Sequence, residues 1–157
     1  MTKERFSIKN PKDAVKLLDR YTRKRQEHFL AITLNGVHEV IKIHVISIGL
    51  VNKAIVHPRE AFWHCIKDNA AAVAFAHNHP SGKAFPSPED DELFDRLLMA
   101  SEILGFHIID NFVLGQHGDY YSFRENRRFD KTFSMQERWG YANMIAAENR
   151  NRIKGGE

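Results

Sequence analysis

His77-Asn78-His79-Pro80-Ser81-Gly82-Lys83-Ala84-Phe85-Pro86-Ser87-Pro88-Glu89-Asp90 follows an apolar run and precedes a helical pattern, and its reading decides the fold. Side chains alternate faces in an extended segment, so His77 and His79 point the same way and Asn78 points to the other side. Asp90 falls in the first turn of the following helix, where a folded loop can return its carboxylate to the two imidazoles. Two nitrogens and one oxygen are the donor set of a catalytic zinc whose fourth position is left open. His77, His79 and Asp90 are therefore the candidate metal ligands. A second reading of the same residues stands beside this one. Ser87 at an N-cap, Pro88 at the first helical position and Asp90 three residues after the cap form a capping box. If Asp90 ligates a metal, the same oxygen is not expected to serve the cap as well.

Upstream, Ala70 to Ala76 is an unbroken apolar run, which predicts a central strand buried on both faces. Before it, His57-Pro58-Arg59-Glu60 opens a helix that runs to about Asp68-Asn69, with Ala61, Phe62, Cys65 and Ile66 on its buried side. Downstream, Ser87 to Leu104 is a helix with Leu93, Leu97, Ala100, Ile103 and Leu104 as its apolar stripe and Gly105 as its stop. Phe106 to Leu114 and Tyr120 to Phe123 read as two further strands. Toward the N-terminus, Pro11 to Gln26 reads as one helix. Phe29 to Leu34 is a strand, and Asn35-Gly36 is the dipeptide of a tight type I′ hairpin turn. A second strand runs from about Val37 and continues through Ser47 to Val56, with Gly49 at a bend. The order is helix, two strands, helix, strand, helix, two strands, then a tail, which predicts an α/β sandwich rather than a doubly wound sheet.

At 157 residues, 43% hydrophobic and 27% charged, the chain suits one globular unit with a substantial core. No uncharged run approaches the roughly 18 residues of a membrane helix. Met1 to Phe6 lacks the apolar core of a signal peptide, and the single cysteine, Cys65, has no internal disulfide partner, so a cytoplasmic protein without a membrane partner is expected. From Arg124 onward eight basic residues face five acidic ones, which carries the whole net charge of +3, and Arg20, Arg23, Lys24 and Arg25 close the first helix. Such basic ends can track the phosphates of a nucleic acid, or be solvated faces and helix ends. Among the nine histidines, His28, His38, His44, His64, His107 and His117 have no ligand-like spacing and are expected at or near the surface. Residues 125–157 form a basic appendage in which Met135 to Arg150 can be one amphipathic helix weakened by Gly140.

His-x-His at a strand end, followed after seven residues by Ser-x-x-Asp, resembles the JAMM motif of the JAB/MPN metalloprotease superfamily. The wording His77-Asn78-His79-Pro80-Ser81-Gly82, with Pro86-Ser87-Pro88-Glu89-Asp90, is closest to the RadC-like branch. The resemblance runs from Glu27-His28-Phe29 through Val56-His57-Pro58-Arg59-Glu60 to Tyr121-Ser122-Phe123-Arg124. It implies a cytidine-deaminase-like or JAB-type α-β-α sandwich with a mixed central sheet over residues 1–124, with residues 125–157 as an extension. It also implies a bound zinc ion, Glu27 as general acid/base and Ser87 as hydrogen-bond donor to an oxyanion. The implied activity is hydrolysis of a peptide or isopeptide bond in a protein substrate. From the residues alone, Glu27 can also be read as a solvated helix-end residue. The RadC-like name carries a DNA-repair association, and a non-catalytic metal-bound scaffold is the remaining alternative. His57 is expected to brace the site. Where the family commonly has Asp-His after the long helix, this chain has Asp110-Asn111, and the N-terminal helix-hairpin-helix region of longer RadC-like proteins is not expected here.

Overall fold

The computed structural model describes residues 4–49 and 56–154. Five strands, β1 (His28–Leu34), β2 (Val40–Ile48), β3 (Ala72–Asn78), β4 (His107–Leu114) and β5 (Tyr120–Ser122), form one sheet in the order β2-β1-β3-β4-β5. The β3–β4 pair is parallel and the other three are antiparallel, so the sheet is mixed. All seven residues of β3 are buried, as an unbroken apolar run at the sheet centre requires.

Alternation along the strands sorts the core into two layers. Leu30, Ile32 and Leu34 of β1, with Ala72, Ala74 and Ala76 of β3, face α1 (Pro11–Leu17) and α2 (Asp19–Thr22) through Ala14, Leu18 and Tyr21. Phe29 and Ala31, with Val73, Phe75 and Val113, face α3 (Pro58–Lys67) and α4 (Pro88–Leu104) through Phe62, Cys65, Phe94 and Leu97. Helices on both sides of a mixed sheet make the expected α/β sandwich. The helix α5 (Met135–Lys154) lies outside this second layer. Its Arg138 pairs with Glu102 of α4 at 2.8 Å and its Asn149 accepts from Arg59 of α3 at 3.0 Å. Gly140 does not interrupt it.

Several sequence expectations change. The first helix is broken at Leu18, whose φ of −99° and ψ of 8° turn the chain so that both Leu18 and Tyr21 reach the sheet. The hairpin after β1 is a longer loop, with positive φ at His38 instead of at Asn35-Gly36. The Asn35 carboxamide oxygen accepts from the N–H groups of Val37 and Glu39, both at 3.0 Å, and so folds the loop around itself. β2 begins at Val40 and ends at Ile48, and the expected continuation through residues 50–55 lies outside the described residues.

On α4 the buried stripe is Asp90, Phe94, Leu97 and Ser101, while Leu93 and Ala100 pack partly and Ile103 and Leu104 are exposed at the helix end. Ile66 is likewise exposed, because the α3 face toward the sheet is completed by Ala61, Phe62 and Cys65. His44 is buried, against expectation. Its Nε2 lies 2.6 Å from Asp68 Oδ2, which also accepts from Thr33 Oγ1 at 2.6 Å, so a buried imidazole finds a charged partner.

Candidate metal centre

The capping box at the start of α4 is fully made. Ser87 Oγ accepts from Asp90 N–H at 3.1 Å, and Asp90 Oδ2 accepts from Ser87 N–H at 2.8 Å. Pro88 occupies the first turn, and Glu89, Asp90 and Asp91 place negative charge at the positive end of the helix dipole. This geometry delivers Asp90, 2% exposed, to the end of β3.

There it meets the two histidines. His77 and His79 Nε2 atoms are 3.1 Å apart, and each lies 3.2 Å from Asp90 Oδ2. Two imidazole nitrogens this close are repulsive unless a proton or cation lies between them. A tetrahedral ion with bonds of about 2.0 Å needs its donors about 3.3 Å apart. A triangle with edges of 3.1, 3.2 and 3.2 Å therefore fits the face of such a tetrahedron.

Glu27 approaches from the segment before β1, because the register pairs Phe29 with His77 and so puts residue 27 over the same strand end. Its Oε1 lies 3.8 Å from His77 Nε2 and 3.6 Å from His79 Nε2, one step outside the triangle. One donor atom from each of Glu27, His77, His79 and Asp90 lies within 4.8 Å of all the others, so the cluster can coordinate a metal ion.

The surroundings tune these groups. His79 Nδ1 lies 2.9 Å from the Lys83 carbonyl, which fixes the proton on Nδ1 and leaves the Nε2 lone pair facing the cluster. Burial pulls the His79 pKa down, but the hydrogen bonds to Asp90 and Lys83 outweigh it, and the value is raised. Burial also works against the Asp90 carboxylate, yet the His77 and His79 contacts hold it far below the usual range. His77, 2% exposed, stacks on Phe29 at 6.2 Å.

The structure thus brings together Glu27, His77, His79 and Asp90, with Ser87 beside Asp90. The same Asp90 oxygen, Oδ2, both takes the capping bond and faces the histidines, because a carboxylate oxygen has two lone pairs in different directions. Lys83 was not singled out from sequence, since a main-chain carbonyl leaves no residue-type signal. Asp110 lies elsewhere. It is buried and accepts from Ser122 Oγ and from the N–H groups of Asn111 and Arg124, which ties β4 to β5. His57, 6% exposed, is the N-cap residue of α3, and its Nε2 lies 3.5 Å from Glu148 of α5.

Comparison with known proteins agrees with this geometry. Residues 8–128 match the family model described as RadC-like JAB domain. A UPF0758 protein of Caldanaerobacter subterraneus is 42% identical over 130 residues, covering 81% of this chain and 54% of its own length. One from Alkaliphilus metalliredigens is 44% identical over 123 residues, covering 76% and 52%. Another, from Methanospirillum hungatei, is 44% identical over 113 residues, covering 71% and 50%. The chain spans about half the length of these curated relatives. No helix among the described residues is long and apolar enough to cross a membrane.

Proposed function

The chain belongs to the RadC-like JAB domain family, and on that premise we propose that it is a zinc-dependent hydrolase that cleaves a peptide or isopeptide bond with water. The observation that carries the proposal is the triangle of His77, His79 and Asp90 donor atoms with a carboxylate 3.6 to 3.8 Å away from its nitrogens. Bound zinc supplies a Lewis acid that lowers the pKa of a water to about 7 and polarises a carbonyl.

The chain's own groups do the rest. His77, His79 and Asp90 would hold the ion. Glu27 takes a proton from the attacking water as its oxygen bonds to the carbonyl carbon, and delivers it to the nitrogen as the C–N bond breaks. Ser87 Oγ already accepts from Asp90 N–H, so its own O–H is left to donate to the carbonyl oxygen as charge develops there. Residues 1–124 are the unit that carries this chemistry, and residues 125–157 are an extension that braces α3 and α4.

The test is metal analysis joined to one substitution. Purified protein is expected to hold about one zinc per chain, and Glu27→Gln to keep the zinc and lose turnover. Protein that takes up no metal at neutral pH sinks the proposal, and full turnover in Glu27→Gln removes Glu27 from the mechanism. Nucleic-acid binding through the basic ends has weaker support. Arg128, Lys131 and Arg138 of the extension pair with Asp91, Asp95 and Glu102 of α4, so their charge is already matched within the protein.

A further inference from the structure

Between the two histidines stands Asn78, a residue the proposed chemistry does not use. Its side chain is 0% exposed and points to the opposite face of β3 from His77, toward the α1 and α2 layer. A buried carboxamide must find partners, and this one finds all of them in one short segment. Its Oδ1 accepts from His28 N–H at 2.7 Å, and its Nδ2 donates to the Gln26 carbonyl at 3.1 Å and to the Lys24 carbonyl at 3.4 Å. The first two are short enough to be firm and the third is weak.

Those partners bracket Glu27 on both sides. The segment from Arg23 to Glu27 runs between α2 and β1 and belongs to neither, so neighbouring helix and strand bonds reach only its ends, with Lys24 N–H bonding to the Tyr21 carbonyl at 3.2 Å. Gly49 N–H bonds to the Glu27 carbonyl at 3.0 Å and holds it from the β2 side. Asn78 holds the same turn from the β3 side.

We infer that Asn78 is a positioning residue that fixes Glu27 over the metal centre. Resting on the hydrolase reading, this makes His77-Asn78-His79 one device: the outer residues face the ion from one side of the strand, and the middle residue reaches through the other side to set the acid/base. The residue type follows from the contacts. One acceptor and two donors are needed in a fixed order, and asparagine alone supplies them at this length. Aspartate keeps the acceptor for His28 and turns a carboxylate oxygen against two carbonyl oxygens.

The experiment compares Asn78→Ala and Asn78→Asp with the parent protein by hydrogen exchange, zinc affinity and turnover. Exchange across residues 24–28 is expected to rise at least about tenfold, while exchange in β3 and β4 holds. Zinc affinity is expected to stay within about threefold, since the metal-facing side of the strand is untouched. Turnover falls by about 10²-fold, in kcat rather than KM, as for a misplaced catalytic group. Unchanged exchange at 24–28, or a zinc affinity lost as completely as in His79→Ala, overturns the inference. Should the alanine variant fail to fold, Asn78→Ser, small and uncharged, carries the measurement. If Glu27→Gln retains turnover, Glu27 leaves the proposed mechanism, and hydrogen exchange still decides whether Asn78 holds the segment.

Discussion

Replacing His79 by Ala separates the metal-holding role of the cluster from its part in the fold. His77 is a poorer choice, because its side chain is 3% exposed and its loss would leave a buried cavity, whereas the His79 side chain is 17% exposed. Without metal, His79→Ala removes the contact to the Lys83 carbonyl, worth about 1 kcal/mol. It also removes the pairing with Asp90. A histidine whose pKa is raised in the folded state stabilises below its ordinary value of about 6.5, and the benefit is lost as pH rises through the folded value. Working at pH 8 therefore shrinks this second part.

With free zinc at a hundred times its dissociation constant, the parent gains about 2.7 kcal/mol. For a domain of this size that is a rise in Tm of about 5 to 11 °C. The assay is thermal unfolding with and without zinc at pH 8. The parent is expected to show the full rise. His79→Ala starts about 2 to 4 °C lower and does not respond to zinc. An equal zinc response in both proteins refutes the ligand assignment.

Ser87→Ala is expected to cost about 1 kcal/mol through the lost cap, measured by urea unfolding, and Ser87→Asp to recover it. Both are expected to lose about 10²- to 10³-fold in turnover if the hydroxyl donates to the oxyanion, whereas parent-like turnover in Ser87→Asp leaves capping as its sole role. Gly115→Ala places a Cβ 2.6 Å from the Gly82 carbonyl oxygen and 3.0 Å from Ala84 Cβ. It is expected to destabilise by about 1–3 kcal/mol and to weaken zinc binding by displacing the loop that joins His79 to Asp90; unchanged unfolding midpoints contradict that packing. Asp68 is held below the ordinary carboxylate value: burial opposes this, but the bonds from Thr33 and His44 prevail. Its contribution is thus present above about pH 3.9 and lost as pH falls through the lower folded value. The denaturant midpoint of Asp68→Asn is expected to change less than the parent's between about pH 5 and 2, and parallel curves would count against the Asp68 pairing.

What could be read in the sequence was local or strictly periodic. The strand end at His77 and His79 follows from a buried apolar run, and the delivery of Asp90 follows from a cap whose parts are three residues apart. Glu27 rests more on family resemblance than on local spacing, because fifty residues separate it from His77 and only the antiparallel register of β1 on β3 closes that distance. The same blindness to non-local pairing hid the Asn78 contacts and the burial of His44 against Asp68. Ile66, Ile103 and Leu104 were misassigned because apolar spacing does not reveal where a helix overhangs the sheet. Hairpin geometry escaped for a related reason: the Asn35 side chain, not its backbone preference, closes the loop.

The shared oxygen of Asp90 bears on how the proposed ion would be taken up. Ser87 N–H already fixes that oxygen, and the Lys83 carbonyl already fixes the His79 ring. Loading then requires little ordering of the chain. On the zinc proposal, the ion would enter a cup that folding has already finished, in contrast to small zinc modules whose polypeptide collapses around the metal. On that proposal the protein is expected to stay folded when zinc is scarce, which thermal unfolding of metal-free protein would show.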